Sequence, residues 1–154
     1  MPSTLENKYV IFTLDEEEYG FSVEKVIEIV KMEKVIPIPN SKEYFMGMVD
    51  IRGKVIPAID LKKKLQIHTE SSQKPERLII IDIFDKRIAL AVDNVLNVLD
   101  LLPDEIDKGP PAVKSHYTKY ISGIGKKNDR FIVMLNINTL FTEEELRQLI
   151  TIGS

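Results

Sequence analysis

The sequence has no cysteine, no tryptophan and only two histidines in 154 residues. Without cysteine there is neither a disulfide framework nor a thiolate metal site, a usage that fits a reducing cytoplasm. No apolar stretch approaches the roughly 20 residues that span a bilayer, and the start, Met-Pro-Ser-Thr-Leu-Glu-Asn-Lys, lacks the basic and apolar segments of a signal peptide. Charge of one sign is missing too. Lys and Arg number 21 against 24 Asp and Glu, for a net charge of -3, and aromatics make up 7%. A nucleic-acid binder shows a basic field instead. The remaining 44% hydrophobic composition suits one compact unit, or two small ones sharing a core.

The sequence is also short of catalytic groups. His68 sits in a polar stretch and His116 beside Ser115, neither with a carboxylate or second histidine at ligand spacing. Gly123-Ile124-Gly125 leads into K-K-N-D-R and not into a helix, so it fails as a dinucleotide loop and reads as a hairpin turn. Asp15 to Glu18 lacks the alternating ligands and central glycine of a calcium loop and reads as a solvated turn. No G-x-S-x-G elbow occurs. Neither an enzymatic activity nor a cofactor or metal is expected.

What is present is a series of short strands. Tyr9 to Leu14, a turn at Asp15 to Glu18, and Tyr19 to Val23 read as a hairpin; Leu78 to Phe84, Asp85-Lys86 and Ile88 to Val92 repeat it. Ser22 caps a brief helical turn, and Val35-Ile36-Pro37-Ile38-Pro39 must be extended because proline disfavours helix in the residue before it. Asn40 with Glu43 resembles a small capping box, predicting one helical turn over Ser41 to Phe45. Val23 and Val26 recur as Val92 and Val95, 69 positions on, while Gly47 and Ile56 recur as Gly123 and Ile132, 76 positions on. About seven additional residues therefore lie in the second copy, and Pro103 to Tyr117 can hold them.

Each half carries about five strands, and a half of that size closes its edges best as a barrel. The reading is mainly β: two tandem five-stranded barrels with a short C-terminal helix. The predicted bounds are 8–66 and 77–141 for the barrels, with allowance for strand exchange between them, 67–76 for the linker and 142–152 for the helix. Thr142 with Glu145 makes a capping box for that helix, and Leu146, Leu149 and Ile150 give it an apolar stripe.

The most informative stretch is Gly47 to Leu61, G-M-V-D-I-R-G-K-V-I-P-A-I-D-L, a strand, a turn at Arg52-Gly53 and a second strand. Gly53 supplies positive φ. Pro57 cannot donate to a ladder, which restricts its strand to an edge or turns its nitrogen outward. Two further features stand out. Glu28 interrupts V-I-E-I-V, and Arg52 sits at the hairpin tip; they are either a bidentate pair or two separate surface charges. Val23, Val26, Ile27 and Val30 are either core or a partner surface.

The ordered set Y-V-I-F-T-L-D-E-E-E-Y-G-F-S-V-E-K-V-I-E-I, I-P-I-P-N and G-M-V-D-I-R-G-K-V-I-P-A-I-D-L, with L-I-I-I, A-V-D-N-V and Y-I-S-G-I-G, resembles the CheW family of bacterial chemotaxis coupling proteins from about Tyr9 to Ile150. The resemblance implies two SH3-like barrels and a non-catalytic adaptor joining the histidine kinase CheA, through its C-terminal regulatory domain, to the cytoplasmic tips of chemoreceptors. It implies a cytoplasmic protein held at the inner face of the membrane through receptor arrays. Receptor contact is expected at Val26, Ile27, Glu28 and Arg52, and sensitivity at Gly47, Gly53 and Pro57. One departure is Asp50, where the family often has asparagine; a second carboxylate there could compete with Glu28 for Arg52. The alternatives are the same module in a non-flagellar chemosensory pathway, or an RNA-binding SH3-like barrel, which the net charge and low aromatic content disfavour.

Overall fold

The computed structural model describes residues 6–40, 42–67, 73–108 and 119–152. In chain order the strands are β1 (Lys8–Leu14), β2 (Glu17–Ser22), β3 (Val26–Lys31), β4 (Val35–Ile36), β5 (Phe45–Ile51) and β6 (Lys54–Asp60), then β7 (Arg77–Ile83), β8 (Lys86–Val92), β9 (Asn94–Asp100), β10 (Ile106–Asp107), β11 (Ile121–Lys127) and β12 (Arg130–Leu135). Helix α1 (Leu61–Lys64) follows β6, and α2 (Glu143–Ile152) closes the chain.

Four two-residue turns join the hairpins, each with positive φ at both positions: Asp15-Glu16, Arg52-Gly53, Phe84-Asp85 and Asn128-Asp129. That is the turn geometry whose twist matches antiparallel strands. Three expected turns shift accordingly. The charged run turns at its first two residues, since β2 begins at Glu17; the Asp85-Lys86 turn is Phe84-Asp85; and Gly123-Ile124-Gly125 lies inside β11, with the turn further on. The helical turn expected after Asn40 does not form among the described residues: Asn40 Oδ1 accepts from the Lys42 N–H at 2.8 Å, and β5 starts at Phe45. His68 and His116 lie outside the described residues.

The sheets do not follow the halves of the sequence. One has the order β10-β11-β12-β2-β1-β9 and the other β3-β7-β8-β6-β5-β4. Each half thus gives its first hairpin to the other half's sheet, joined there by a parallel pair, β12 with β2 and β6 with β8. Each sheet has five strands of six or seven residues plus a two-residue strand, and forms one small barrel. We call the barrel containing β1 and β2 the first, and that containing β7 and β8 the second.

Alternation along the exchanged hairpins explains their continuous apolar runs. In β7, Leu78 and Ile80 fill the second barrel, whereas Ile79, Ile81 and Ile83 enter a larger core between the barrels. In β1, Ile11 fills the first barrel while Val10, Phe12 and Leu14 enter the same shared core. Helix α2 docks there through Leu146 and Leu149; its start is capped as expected, with Glu145 N–H donating to Thr142 Oγ1 at 3.1 Å and Thr142 N–H to Glu145 Oε1 at 2.9 Å.

The repeat is visible in the irregularities of the ladders. Ile27 and Leu96, 69 apart, are the residues skipped in the β3–β7 and β1–β9 registers, and the breaks next to Gly47 and Gly123, 76 apart, also correspond. Ile36 and Asp107 are 71 apart, each the strand residue over which the glycine of its copy passes. Two of the seven additional residues therefore precede β10 and five follow it.

Candidate functional site

Strand β3 is the end of the second barrel's sheet and, among the described residues, pairs only with β7. Its residues alternate between half-buried and exposed. Val26 packs against the inter-barrel core and Val30 inside the second barrel, while Ile27 and Ile29 remain exposed, at 38% and 39%. The apolar set read from the sequence is therefore split. Val23, Val26 and Val30 are packed, Ile27 faces out, and Ile29 belongs with it.

Glu28 and Arg52 do pair. The Arg52 Nε–H is shared between Glu28 Oε1 at 3.0 Å and Oε2 at 3.2 Å, so one donor bifurcates over the carboxylate and the two-pronged fork does not form. Asp50 does not compete, because its Oδ1 accepts the Gly53 N–H at 2.9 Å and so braces the turn. Arg52 is 78% exposed, and an ion pair in that setting adds at most about 1 kcal/mol to stability. Its consequence is geometric: a guanidinium beside two exposed isoleucines.

The turn that carries Arg52 depends on its glycines. Arg52 and Gly53 have φ of 54° and 86°, which costs glycine little. Gly47 has φ of 141°, and a Cβ there would lie 2.1 Å from the Ile36 carbonyl oxygen, so only glycine lets β4 cross β5. Pro57 corrects the simple edge reading. Strand β6 lies between β5 and β8, but the pairing with β8 covers only Ala58, Ile59 and Asp60. Lys54 to Pro57 therefore border no strand on that side among the described residues. The missing N–H of Pro57 falls where the ladder has not begun, and Val55 beside it is exposed.

Leu96 and Val98 on β9 carry no signal residue by residue. They are exposed at the positions equivalent to Ile27 and Ile29, and the 69-residue offset was the signal that could have found them. Two lysines of α1, Lys62 and Lys64, are buried. A run of lysines after a strand carries no mark of burial. Among the described residues no group of His, Asp or Glu could hold a metal ion, and no helix is long and apolar enough to cross a membrane.

A model of the CheW-like domain matches residues 8–145. The chain belongs to the CheW-like family. It is 30% identical over 93% of its length, and 86% of the relative's, to the chemotaxis protein CheW of Klebsiella aerogenes. To CheW of Bacillus subtilis it is 29% identical, over 89% of this chain and 88% of that one. The crystal structure of the scaffolding protein CheW from Thermoanaerobacter tengcongensis superimposes with a TM-score of 0.78 at 35% identity, covering 91% of this chain and 96% of that one. The protein is accordingly a non-catalytic coupling adaptor of chemotaxis signalling.

Proposed function

We propose that this chain couples the cytoplasmic tips of chemoreceptors to the C-terminal regulatory domain of the histidine kinase CheA, holding both at once at the inner face of the membrane. The observation that carries the receptor half is the β3 patch: an outer strand with Ile27 and Ile29 exposed and the Glu28–Arg52 pair beside them. The receptor tip, a helical hairpin bundle, lays its apolar face on Ile27 and Ile29, with Val26 setting the depth of contact at the barrel junction. The Arg52 Nε is committed to Glu28, and its terminal nitrogens make no other hydrogen bond among the described residues, so they can meet an acceptor on the receptor.

The kinase domain, itself CheW-like, pairs barrel against barrel. The open half of β6 and exposed Val55 offer the second barrel an edge and an apolar contact of that kind. Gly47 and Gly53 act through the shape of the hairpin, and Pro57 through the point at which β6 passes from open to paired. Holding receptor and kinase together raises their effective concentration, and a small change in receptor position then becomes a change in kinase position. The test is capture of a receptor-tip fragment and of the isolated kinase regulatory domain. The unmodified chain captures both; Arg52→Glu loses the receptor fragment and keeps the kinase domain. Failure of the unmodified chain with both overturns the reading.

A further inference from the structure

Helix α1 has four residues and ends the β6 segment of the second barrel, yet its two buried lysines reach groups of the first. The Lys62 ammonium lies 2.9 Å from Asp15 Oδ1 in the β1–β2 turn and donates to the Gln73 carbonyl at 3.2 Å. It is also 3.1 Å from Oδ1 of Asp93, which has no exposed surface and joins β8 to β9, one strand in each barrel. Asp93 Oδ2 accepts the Asp15 N–H at 2.7 Å, and the Asp93 N–H donates to the Thr13 carbonyl at 3.1 Å.

Two residues on, the Lys64 ammonium pairs with Glu145 Oε2 of α2 at 3.1 Å. Three rings surround it, with centroids at 4.6 Å for Tyr44, 5.3 Å for Tyr120 and 5.0 Å for Phe141. Tyr120 precedes β11 of the first barrel and Phe141 precedes α2. Glu145 also accepts the Tyr44 hydroxyl at 2.9 Å and caps its own helix. One short helix of the second barrel thus places ammonium groups against the first barrel's turn, the inter-barrel crossing and the terminal helix.

We infer that Lys62 and Lys64 are positioning residues: together they clasp the two barrels at one angle, and that angle presents the β3 surface in its receptor-binding form. The second clause rests on the receptor contact proposed above; the first does not. A buried ammonium separated from its partners is left as an uncompensated charge, a cost of displacement that an apolar contact between barrels does not carry. Val26 packs against the inter-barrel core, and the Val23–Lys25 turn joining β2 to β3 lies beside both β1 and β7, so a change of angle is felt where β3 begins.

The repeat supplies an internal control. At the equivalent positions Lys62 is replaced by Asn138, Lys64 by Leu140 and Asp93 by Glu24. No second clasp forms there among the described residues. Ser22, Glu24, Asn136 and Asn138 instead line an open cleft of about 200 Å³. Among the described residues the barrels are clasped from one side only.

Because the chain has no cysteine, Asp82→Cys on β7 and Lys126→Cys on β11 give one spin label per barrel. Dipolar spectroscopy on the otherwise unchanged chain should give one narrow inter-barrel distance distribution. Lys62→Met with Lys64→Met, which keeps volume and removes both charges, should at least double its width at a temperature where circular dichroism shows the variant fully folded. Without labels, the same variant should bind the receptor-tip fragment about tenfold more weakly and the kinase regulatory domain within twofold of the parent. Should the double variant not fold, Asp15→Asn and Glu145→Gln each remove one carboxylate partner and should each broaden the distribution. A width unchanged in every folded variant overturns the clasp. Broadening with undiminished receptor binding overturns its positioning role. A parent that fails to capture the receptor fragment overturns the receptor reading, and the width alone then decides the clasp.

Discussion

Arg52-Gly53 in the second barrel and Asn128-Asp129 in the first are equivalent turns of the same backbone geometry and different chemistry. Arg52 reaches Glu28 on β3. In the other copy the arginine is Asn128 and the glutamate is Asn97, so both charges are absent together. The apolar pair beside them is kept, as Ile27 and Ile29 on β3 and Leu96 and Val98 on β9. Where the copies agree, in hairpins, bulges and crossing glycines, they build the barrel. Where they differ, at the charged pair and at the lysines of α1, the differences mark the proposed receptor surface and the inferred clasp.

Several substitutions probe that contrast by treating equivalent positions alike. The largest difference is expected for Asp93→Ala against Glu24→Ala. Removing Asp93 leaves a buried ammonium short of a partner and should cost about 3–5 kcal/mol, whereas exposed Glu24 should change stability by no more than about 0.5 kcal/mol. Urea midpoints decide it, and equal losses would dissolve the asymmetry. Gly47→Ala should follow, at about 3 kcal/mol, against about 1–2 kcal/mol for Gly123→Ala. The first places a Cβ 2.1 Å from a backbone oxygen with φ at 141°; the second places it 2.8 Å from the Asp107 oxygen without positive φ.

The α1 site should also respond to pH. Burial acts to lower the Lys62 pKa, but the Asp15 and Asp93 carboxylates override it and the net shift is upward. Burial, and then Glu145, raise the pKa of the Tyr44 hydroxyl. Both groups hold their protons more tightly folded than unfolded. Their contribution is complete below the unfolded values of about 10 and declines as pH rises through the folded ones. Glu145 behaves in the opposite sense. Burial opposes its charge, but the Thr142 N–H, Lys64 and Tyr44 outweigh it and lower its pKa, so its contribution is lost as pH falls below about 4. Denaturant midpoints followed from pH 3 to 11 should fall at both ends. Lys62→Met should flatten part of the alkaline fall, and Asn138→Met, at the equivalent position, should not change it.

Much of the architecture was legible because periodicity reports burial directly. Y-V-I-F and L-I-I-I are apolar on consecutive residues because β1 and β7 are buried on both faces, in their own barrel and in the shared core. The same fact left open which strands exchange. Apolarity says that a face is covered and not which strand covers it. Phe84 is no ordinary turn former, so composition points to Asp85-Lys86 for its turn, and Gly123 suggests a turn where its role is to let β10 pass. Glu28 and Arg52 were visible as lone charges in apolar surroundings. Their pairing depended on Asp50 turning away to brace Gly53, which no spacing rule shows.

The central claim is that β3 with Arg52 is the surface through which receptor state reaches the kinase. It is tested most directly by receptor-dependent control of kinase activity in a reconstituted assembly, comparing Arg52→Glu, Glu28→Arg and the double exchange with Asn128→Glu. Either single reversal should abolish control while binding of the isolated regulatory domain persists, and Asn128→Glu should leave control intact. The double exchange should recover part of it. Full control with Arg52→Glu and Glu28→Arg alike would contradict the account.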